Sequence, residues 1–340
     1  MDLIARGAAT DDEFNRLALV IFAEQFRSVA IYRDFCDGRN VSPETVKRWN
    51  QIPPLPTSAF KEFEVSSIPA AERTAFFCSS GTTGQTPSKH HHHARSLKVY
   101  EASLLPWFGR HFQPLAAMKL IFLTPQHVPN SSLVHMFNTV RNHFGGPESI
   151  FTGRVNGDGS WSVDLARTLA ALEGSEPVGV LGTAFSFVHL LDHLETVGKR
   201  ISLSKNSRVM ETGGYKGRSR EMPKVQLHRM ISKFLGVPTG DIVTEYGMSE
   251  LSSQAYERDG IFYFPPWARA KVVSPETGTE VADGETGLLR VFDLANIWSV
   301  IAVQTEDLAA RRGNGFELLG RAAVSEPRGC SIMPESKNGR

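Results

Sequence analysis

The chain has 340 residues, of which 41% are hydrophobic and 21% charged, and its 37 Lys plus Arg nearly cancel its 36 Asp plus Glu. That length allows one large domain or two unequal lobes around a sizeable core, and the charge balance excludes a global field that would hold the protein on nucleic acid or an anionic membrane. No stretch approaches the roughly 20 apolar residues of a membrane span, and the start lacks a basic segment followed by an apolar run, so a soluble, cytoplasmic protein is expected. The three cysteines, Cys36, Cys78 and Cys330, are odd in number and share no close spacing, which argues against a disulfide framework and a zinc site.

Thr10 and Glu13 have capping-box spacing ahead of Leu17, Val20, Ile21 and Phe26, which predicts a first helix. Ser42 followed by Pro43 predicts the start of a second. After the proline-rich stretch 52–56 the pattern alternates. Strands are expected at 75–78, 120–123, 178–181, 208–211 and 241–244, with helices around 96–112, 132–144, 185–197 and 222–235. This is the signature of an α/β architecture with a largely parallel sheet. From Gly260 the chain changes to short strands and turns, at Pro275, Glu276, Thr277, Gly278 and at Asp283, Gly284, so a β-rich subdomain is expected. The organisation read from this is 1–259, a helical N-terminus with an α/β core; 260–321, the β-rich part; and 322–340, a short tail. His90, His91, His92 and His93 suggest a metal-binding tract or an added tag, but consecutive residues on regular structure cannot all face one metal, and a solvated loop is expected.

Three segments carry chemistry. The strand at 75–78 runs into Ser79, Ser80, Gly81, Thr82, Thr83, Gly84, Gln85, Thr86, Pro87, Ser88 and Lys89. Free backbone N–H groups, hydroxyls and one cation suit a triphosphate, although the spacing is not that of a Walker A loop and a polar surface turn would look similar. Thr244, Glu245, Tyr246, Gly247, Met248, Ser249 and Glu250 close another expected strand, the place where open α/β sheets bind ligands. There Tyr246 could stack on a nucleobase and Glu250 hold a divalent cation, or the ring could pack in the core and the carboxylate face water. In Thr305, Glu306, Asp307 and Leu308, followed by Leu319, Gly320 and Arg321, a carboxylate can accept ribose hydroxyls and an arginine can fork onto phosphate.

In this order the segments resemble the adenylate-forming superfamily of acyl-CoA synthetases, peptide-synthetase adenylation domains and luciferases. The resemblance covers about residues 50–330 and implies that superfamily's N-terminal-domain fold, ATP and Mg²⁺ as cofactors, and activation of a carboxylic acid to an acyl-adenylate. The phosphate loop has two extra residues before Lys89, Ser249 replaces a threonine, and Glu306 replaces a glycine. The superfamily's mobile C-terminal domain has no counterpart before Arg340, and its hinge aspartate is Val324. The run Gly213, Gly214, Tyr215, Lys216, Gly217, Arg218, the motif Gln304 through Leu308, and the tail Arg328, Gly329, Cys330, Ser331 are similar to one branch lacking that domain. This branch is the acyl-protein synthetases, or long-chain-fatty-acid–luciferin-component ligases, of bacterial luminescence. It implies a fatty acid activated with ATP, moved to a cysteine near the C-terminus, matched here by Cys330, and passed to an acyl-reductase or other acceptor protein.

On that basis Cys330, Glu250 and Lys89 are the expected catalytic residues, with Glu250 on the metal. Ser79, Ser80, Gly81, Thr82, Thr83, Gly84, Gly213, Gly214, Tyr215, Tyr246, Gly247, Ser249, Asp307 and Arg321 are expected around ATP. Gly182, Thr183, Ala184 and Phe185 are expected to line the acyl pocket, though they also suit turn and core positions. Cys330 stands nine residues beyond Arg321, a reach of about 30 Å when extended. Two other readings remain open: a ligase resembling phenylacetate–CoA ligases, and a non-catalytic adenylate-binding subunit.

Overall fold

The computed structural model describes residues 4, 6–7, 9–79, 86–113, 118–215 and 219–322. Helix α1 (Asp11–Ser28) starts as its signals require, the Thr10 hydroxyl accepting from the Glu13 N–H while the Glu13 carboxylate accepts from the Thr10 N–H. It buries Phe14, Ala18, Phe22 and Gln25. A helix that the sequence did not announce, α2 (Ala30–Asp37), follows after the single extended residue Val29 and buries Tyr32 and Cys36. Burial pushes the Cys36 thiol up to about 12, so it packs as a small apolar group.

The helix expected at Ser42 does not form. The Thr45 hydroxyl takes the Ser42 N–H and donates back to the Ser42 carbonyl, closing one turn through side-chain bonds that compete with a helix. The chain is then pinned to α1 by Asn15, which bonds the Lys47 carbonyl and the Trp49 N–H.

Strand β1 (Leu55–Pro56) and the short α3 (Ala59–Glu62) lead to an antiparallel hairpin, β2 (Ala75–Cys78) and β3 (Lys89–His92). The histidine run is therefore not a solvated loop. Strand alternation turns His90 and His92 inward, where both are buried, and leaves Lys89 exposed. Desolvation pulls the His90 imidazole down to about 4 and His92 to about 2, so both are neutral near pH 7.

The alternating part comprises α4 (Ala94–Phe112), β4 (Lys119–Phe122), α5 (Ser132–Phe144), β5 (Ile150–Phe151), the hairpin β6 (Gly153–Val155) and β7 (Trp161–Val163), and α6 (Leu165–Leu172). It continues through β8 (Val178–Thr183), α7 (Ala184–Thr196), β9 (Arg208–Thr212), α8 (Lys224–Leu235) and β10 (Ile242–Tyr246). Gly236 stops α8 in the left-handed region at φ 70°. The β-rich remainder is β11 (Ala255–Arg258), β12 (Ile261–Tyr263), β13 (Ala268–Val273), β14 (Thr286–Asp293), β15 (Ala302–Arg312) and β16 (Gly315–Arg321).

One twelve-stranded sheet joins the two kinds of region, in the order β13-β14-β15-β16-β12-β11-β10-β9-β8-β4-β5, with β1 alongside β15. From β10 to β5 the pairing is parallel; from β10 to β13 it is antiparallel. The parallel part is apolar on both faces. One face packs Val180 and Val209 with Leu190 and Ile231 of α7 and α8, and the other packs Leu181 and Met210 with Leu104 and Phe108 of α4. A third cluster seats α1 and α2 against β14 and β15 around Trp267 and Val291. Among the described residues no helix is long and apolar enough to cross a membrane.

Candidate active site at the end of β10

Tyr246 ends β10, where the sheet changes from parallel to antiparallel. Its ring sits edge-on to Phe262, Phe264 and Phe316, with centroids 5.6–6.2 Å away. Its hydroxyl donates to Asp307 Oδ2 at 2.7 Å, and that bond joins two motifs lying 61 residues apart. Asp307 and Arg321 face each other across β15 and β16, with Arg321 Nε 3.7 Å from Asp307 Oδ1. The Asp307 side chain is 15% exposed and that of Arg321 74%. Desolvation raises the Asp307 pKa, partly offset by the Tyr246 bond and the Arg321 charge.

Past Tyr246 the chain turns so that Glu250 is buried, its Oε2 accepting from the Ser249 hydroxyl at 2.9 Å. Asn296 holds this turn from beneath, donating to the Glu250 carbonyl at 2.8 Å and accepting the Ser252 hydroxyl at 2.6 Å. Asn296 is in turn tied to α1, whose buried Gln25 donates to the Asn296 carbonyl at 2.6 Å and accepts the Ile301 N–H at 2.8 Å.

The expected phosphate loop enters beside the same turn. Ser79 and Ser88 close its base, the Ser88 N–H donating to Ser79 Oγ at 2.9 Å. Ser88 Oγ lies 3.3 Å from Ser249 Oγ, and His90 Nδ1 lies 2.9 Å from the Ser249 carbonyl. That carbonyl only accepts, so His90 carries its proton on Nδ1. Lys89 extends outward, its ammonium 5.9 Å over the Phe76 ring. Ser80, Gly81, Thr82, Thr83 and Gly84 lie outside the described residues, as does Cys330.

Gly213 and Gly214 follow β9 into open space, where an added Cβ would meet nothing within 4 Å; Gly213 also needs its positive φ of 65°. Tyr215 turns back, its hydroxyl donating to the Met222 carbonyl at 2.8 Å. The segment 182–185 is engaged in packing. A Cβ on Gly182 would come 3.0 Å from Leu123, Thr183 caps α7 by accepting the Ser186 N–H, and Phe185 lies against Trp161 with ring centroids 4.6 Å apart. The structure therefore brings together Ser79, Tyr246, Gly247, Ser249, Glu250, Asp307 and Arg321. Tyr215, Ala184 and Phe185 stand apart from that group, with contacts of their own inside the fold.

Asp307 offers two oxygens at the rim of a partly open site, which fits a vicinal diol. Glu250 offers one buried carboxylate beside two serine hydroxyls. Among the described residues no group of three or more His, Cys, Asp or Glu could cage a metal, so this donor set fits a Mg²⁺ that arrives with phosphate oxygens and keeps its waters.

The model of the family described as "Acyl-protein synthetase, LuxE" matches residues 8–337. The chain belongs to this acyl-protein synthetase family. Two relatives are long-chain-fatty-acid–luciferin-component ligases. That of Aliivibrio fischeri is 23% identical over 324 residues, covering 88% of this chain and 82% of its own, and that of Vibrio harveyi is 22% identical over 326 residues with the same coverage. Among solved structures, a 2-hydroxyisobutyryl-CoA ligase in its postadenylation state matches with a TM-score of 0.71 at 12% identity, over 92% of this chain and 67% of that one. ATP-bound MatB from Rhodopseudomonas palustris matches with a TM-score of 0.50 at 17% identity, over 75% and 49%. The fold is thus shared with these ligases, and the family resemblance stated from the sequence holds.

Sequence reasoning missed several polar residues of this acyl-protein synthetase. His90 had no signal, because identical neighbours give no polarity period. Asn296 and Gln25 had none either, since their partners are distant in the chain. Glu245, next to Tyr246, was read only as part of the motif. It is buried, accepts a hydrogen bond from the Thr212 hydroxyl, and has its pKa raised by burial to about 7.

Proposed function

We propose that this enzyme activates a carboxylic acid, a fatty acid in keeping with the names of its relatives, and then transfers the acyl group to a protein cysteine. In this reading the carboxylate attacks the α-phosphorus of ATP in line, pyrophosphate leaves, and a mixed anhydride with AMP remains. The protein's part is positioning and charge neutralisation. The observation that carries the reading is the meeting of Tyr246, Asp307 and Glu250 at the end of β10.

Tyr246 and Gly247 take the adenine, Asp307 the ribose hydroxyls, and Arg321 the ribose or α-phosphate. Ser79, Ser80, Gly81, Thr82, Thr83, Gly84 and Lys89 hold the β- and γ-phosphates, while Gly213, Gly214 and Tyr215 border the nucleotide. Glu250, with one carboxylate oxygen fixed by the Ser249 hydroxyl, would hold a Mg²⁺, which would supply charge neutralisation to the phosphates. The acyl chain runs toward Gly182, Thr183, Ala184 and Phe185. The nucleotide lies where the units 1–259 and 260–321 meet, and the tail 322–340 brings in Cys330. Its thiolate attacks the acyl carbonyl, the C–O bond to the phosphate breaks, and AMP leaves with the electron pair. Arg328 favours the thiolate. An acyl-reductase or another acceptor protein then receives the group.

Two steps should separate experimentally. Cys330→Ala is expected to keep acid-dependent exchange of labelled pyrophosphate into ATP, because adenylation needs no thiol. It should lose hydroxylamine-labile labelling by radioactive fatty acid plus ATP. Labelling of that variant at the wild-type level would remove Cys330 from the reaction.

A further inference from the structure

Glu250 takes its aim from two peptide units, the one that precedes its Cα and the one that follows it. Planar peptides leave only φ and ψ between them, so holding both planes fixes the direction in which the side chain leaves the backbone. Both are held, and from separate parts of the chain. The Glu250 carbonyl, in the following unit, accepts from Asn296 Nδ2 at 2.8 Å, just past the end of β14. The Ser249 carbonyl, in the preceding unit, accepts from His90 Nδ1 at 2.9 Å.

His90 belongs to β3, the strand that leaves the expected phosphate loop. Ser88 and His90 turn inward together, by strand alternation, and both meet Ser249. The Ser249 hydroxyl has a single proton, which goes to Glu250 Oε2 at 2.9 Å, so it accepts from Ser88 at 3.3 Å. These donors all run one way, from the exit of the loop to the turn that carries Glu250.

Packing alone does not call for this histidine. His90 is 3% exposed, and its ring lies 6.1 Å from that of Phe60 and 4.4 Å from that of His92. A leucine or phenylalanine fills such a place without the cost of desolvating an imidazole, which is offset only through the bonds the ring makes. His92 is the contrast on the same strand: its Nδ1 lies 3.2 Å from Ser96 Oγ, four residues on, a bond that stays within the start of α4. His90 reaches a residue 159 positions away.

We propose that His90 is a positioning residue for the carboxylate assigned to Mg²⁺. Its Nδ1–H fixes the peptide before Glu250, as Asn296 fixes the one after it. Because β3 leaves the phosphate loop, the same bond sets the base of that loop in register with Glu250. This role rests on the ATP and Mg²⁺ reading proposed above and falls to a residue outside the three sequence motifs.

The test is binding of a fluorescent ATP analogue by the full chain, in Mg²⁺ and in EDTA, with His90→Leu and His90→Asn beside the wild type. Leucine keeps an apolar group and removes the donor; asparagine returns an N–H on the same Cγ. The wild type is expected to bind more tightly in Mg²⁺. His90→Leu should cut that gain about tenfold while its affinity in EDTA moves by less than about twofold, and His90→Asn should recover most of the loss. In pyrophosphate exchange the same change should appear as a higher Mg²⁺ requirement and a lower kcat, with the KM for the acid unmoved. His90→Leu with the wild-type gain, His90→Leu weakened equally in Mg²⁺ and in EDTA, or His90→Asn no better than His90→Leu overturns the positioning role. A wild type whose affinity ignores Mg²⁺ overturns the metal reading itself, and the role with it.

Discussion

The two sides of β10 handle a buried carboxylate differently. On the Tyr246 side, Asp307 has a hydroxyl on one oxygen, a guanidinium near the other, and a side chain still 15% exposed. On the Glu245 side the carboxylate is deeper, no cation approaches among the described residues, and Glu211 adds repulsion to desolvation. The first arrangement keeps a partly exposed carboxylate between a hydroxyl and a guanidinium. The second keeps a buried group whose pKa is raised by desolvation to about 7. One strand thus borders two different carboxylate environments because side chains alternate with period two.

The largest expected effect is at Glu250. Glu250→Gln keeps volume and the Ser249 contact but removes the charge assigned to Mg²⁺, and pyrophosphate exchange should fall by on the order of 100- to 1000-fold. Undiminished exchange would make Glu250 a structural residue.

Next is the pH dependence of stability through Glu245. Its folded pKa of about 7 lies above the usual glutamate value of 4.5, so between these values the native state binds more protons than the unfolded state. Its contribution is complete below pH 4.5 and is lost as pH rises through 7, for a total of about 3 kcal/mol. Urea titrations at pH 5 and pH 8 should show the wild type losing more stability than Glu245→Gln across that interval. Equal losses would contradict the burial argument.

Asp307→Ala should raise the ATP requirement by about 30- to 150-fold, corresponding to about 2–3 kcal/mol of charge-assisted hydrogen bonding. The control is the KM for the acid, which should move much less. The smallest expected change is in folding stability on Arg321→Gln: the pair with Asp307 is long and its guanidinium exposed, so unfolding free energy should shift by about 0.5 kcal/mol or less. A loss of several times that would place Arg321 in the folded framework.

The parallel strands were legible because burial on both faces writes them as apolar runs, and the motif at their ends was legible because glycines and hydroxyls interrupt those runs. The hairpin of β6 and β7 and the helix α6 were missed, being short and of mixed polarity. Helix α2 was missed because only Val29 parts it from α1, so the periodicity runs on without a break. The expected helix at Ser42 failed because its capping residues bond one another and close a single turn. The histidine run was misread because burial there is decided by the hairpin partner, Phe77 and Cys78 on β2 standing opposite His90 and Lys89. Tyr246 and Asp307 could be named from the chain, but the bond between them, and the row that puts Thr212 and Tyr256 beside Glu245, are products of strand register.

The tether from Gln25 gives the site an order of assembly. Gln25 leaves the ribosome well before the groups it bonds, which lie 271 and 276 positions later. The support beneath Glu250 therefore closes only when most of the chain has been synthesised, although N-terminal segments ordinarily fold first. Until then α1 has an apolar face and a buried-type amide with nothing to receive them, and a nascent chain halted before Asn296 holds Tyr246 but leaves the turn at Glu250 unanchored. Ribosome-bound chains of increasing length would acquire nucleotide affinity abruptly, late in translation, instead of strand by strand.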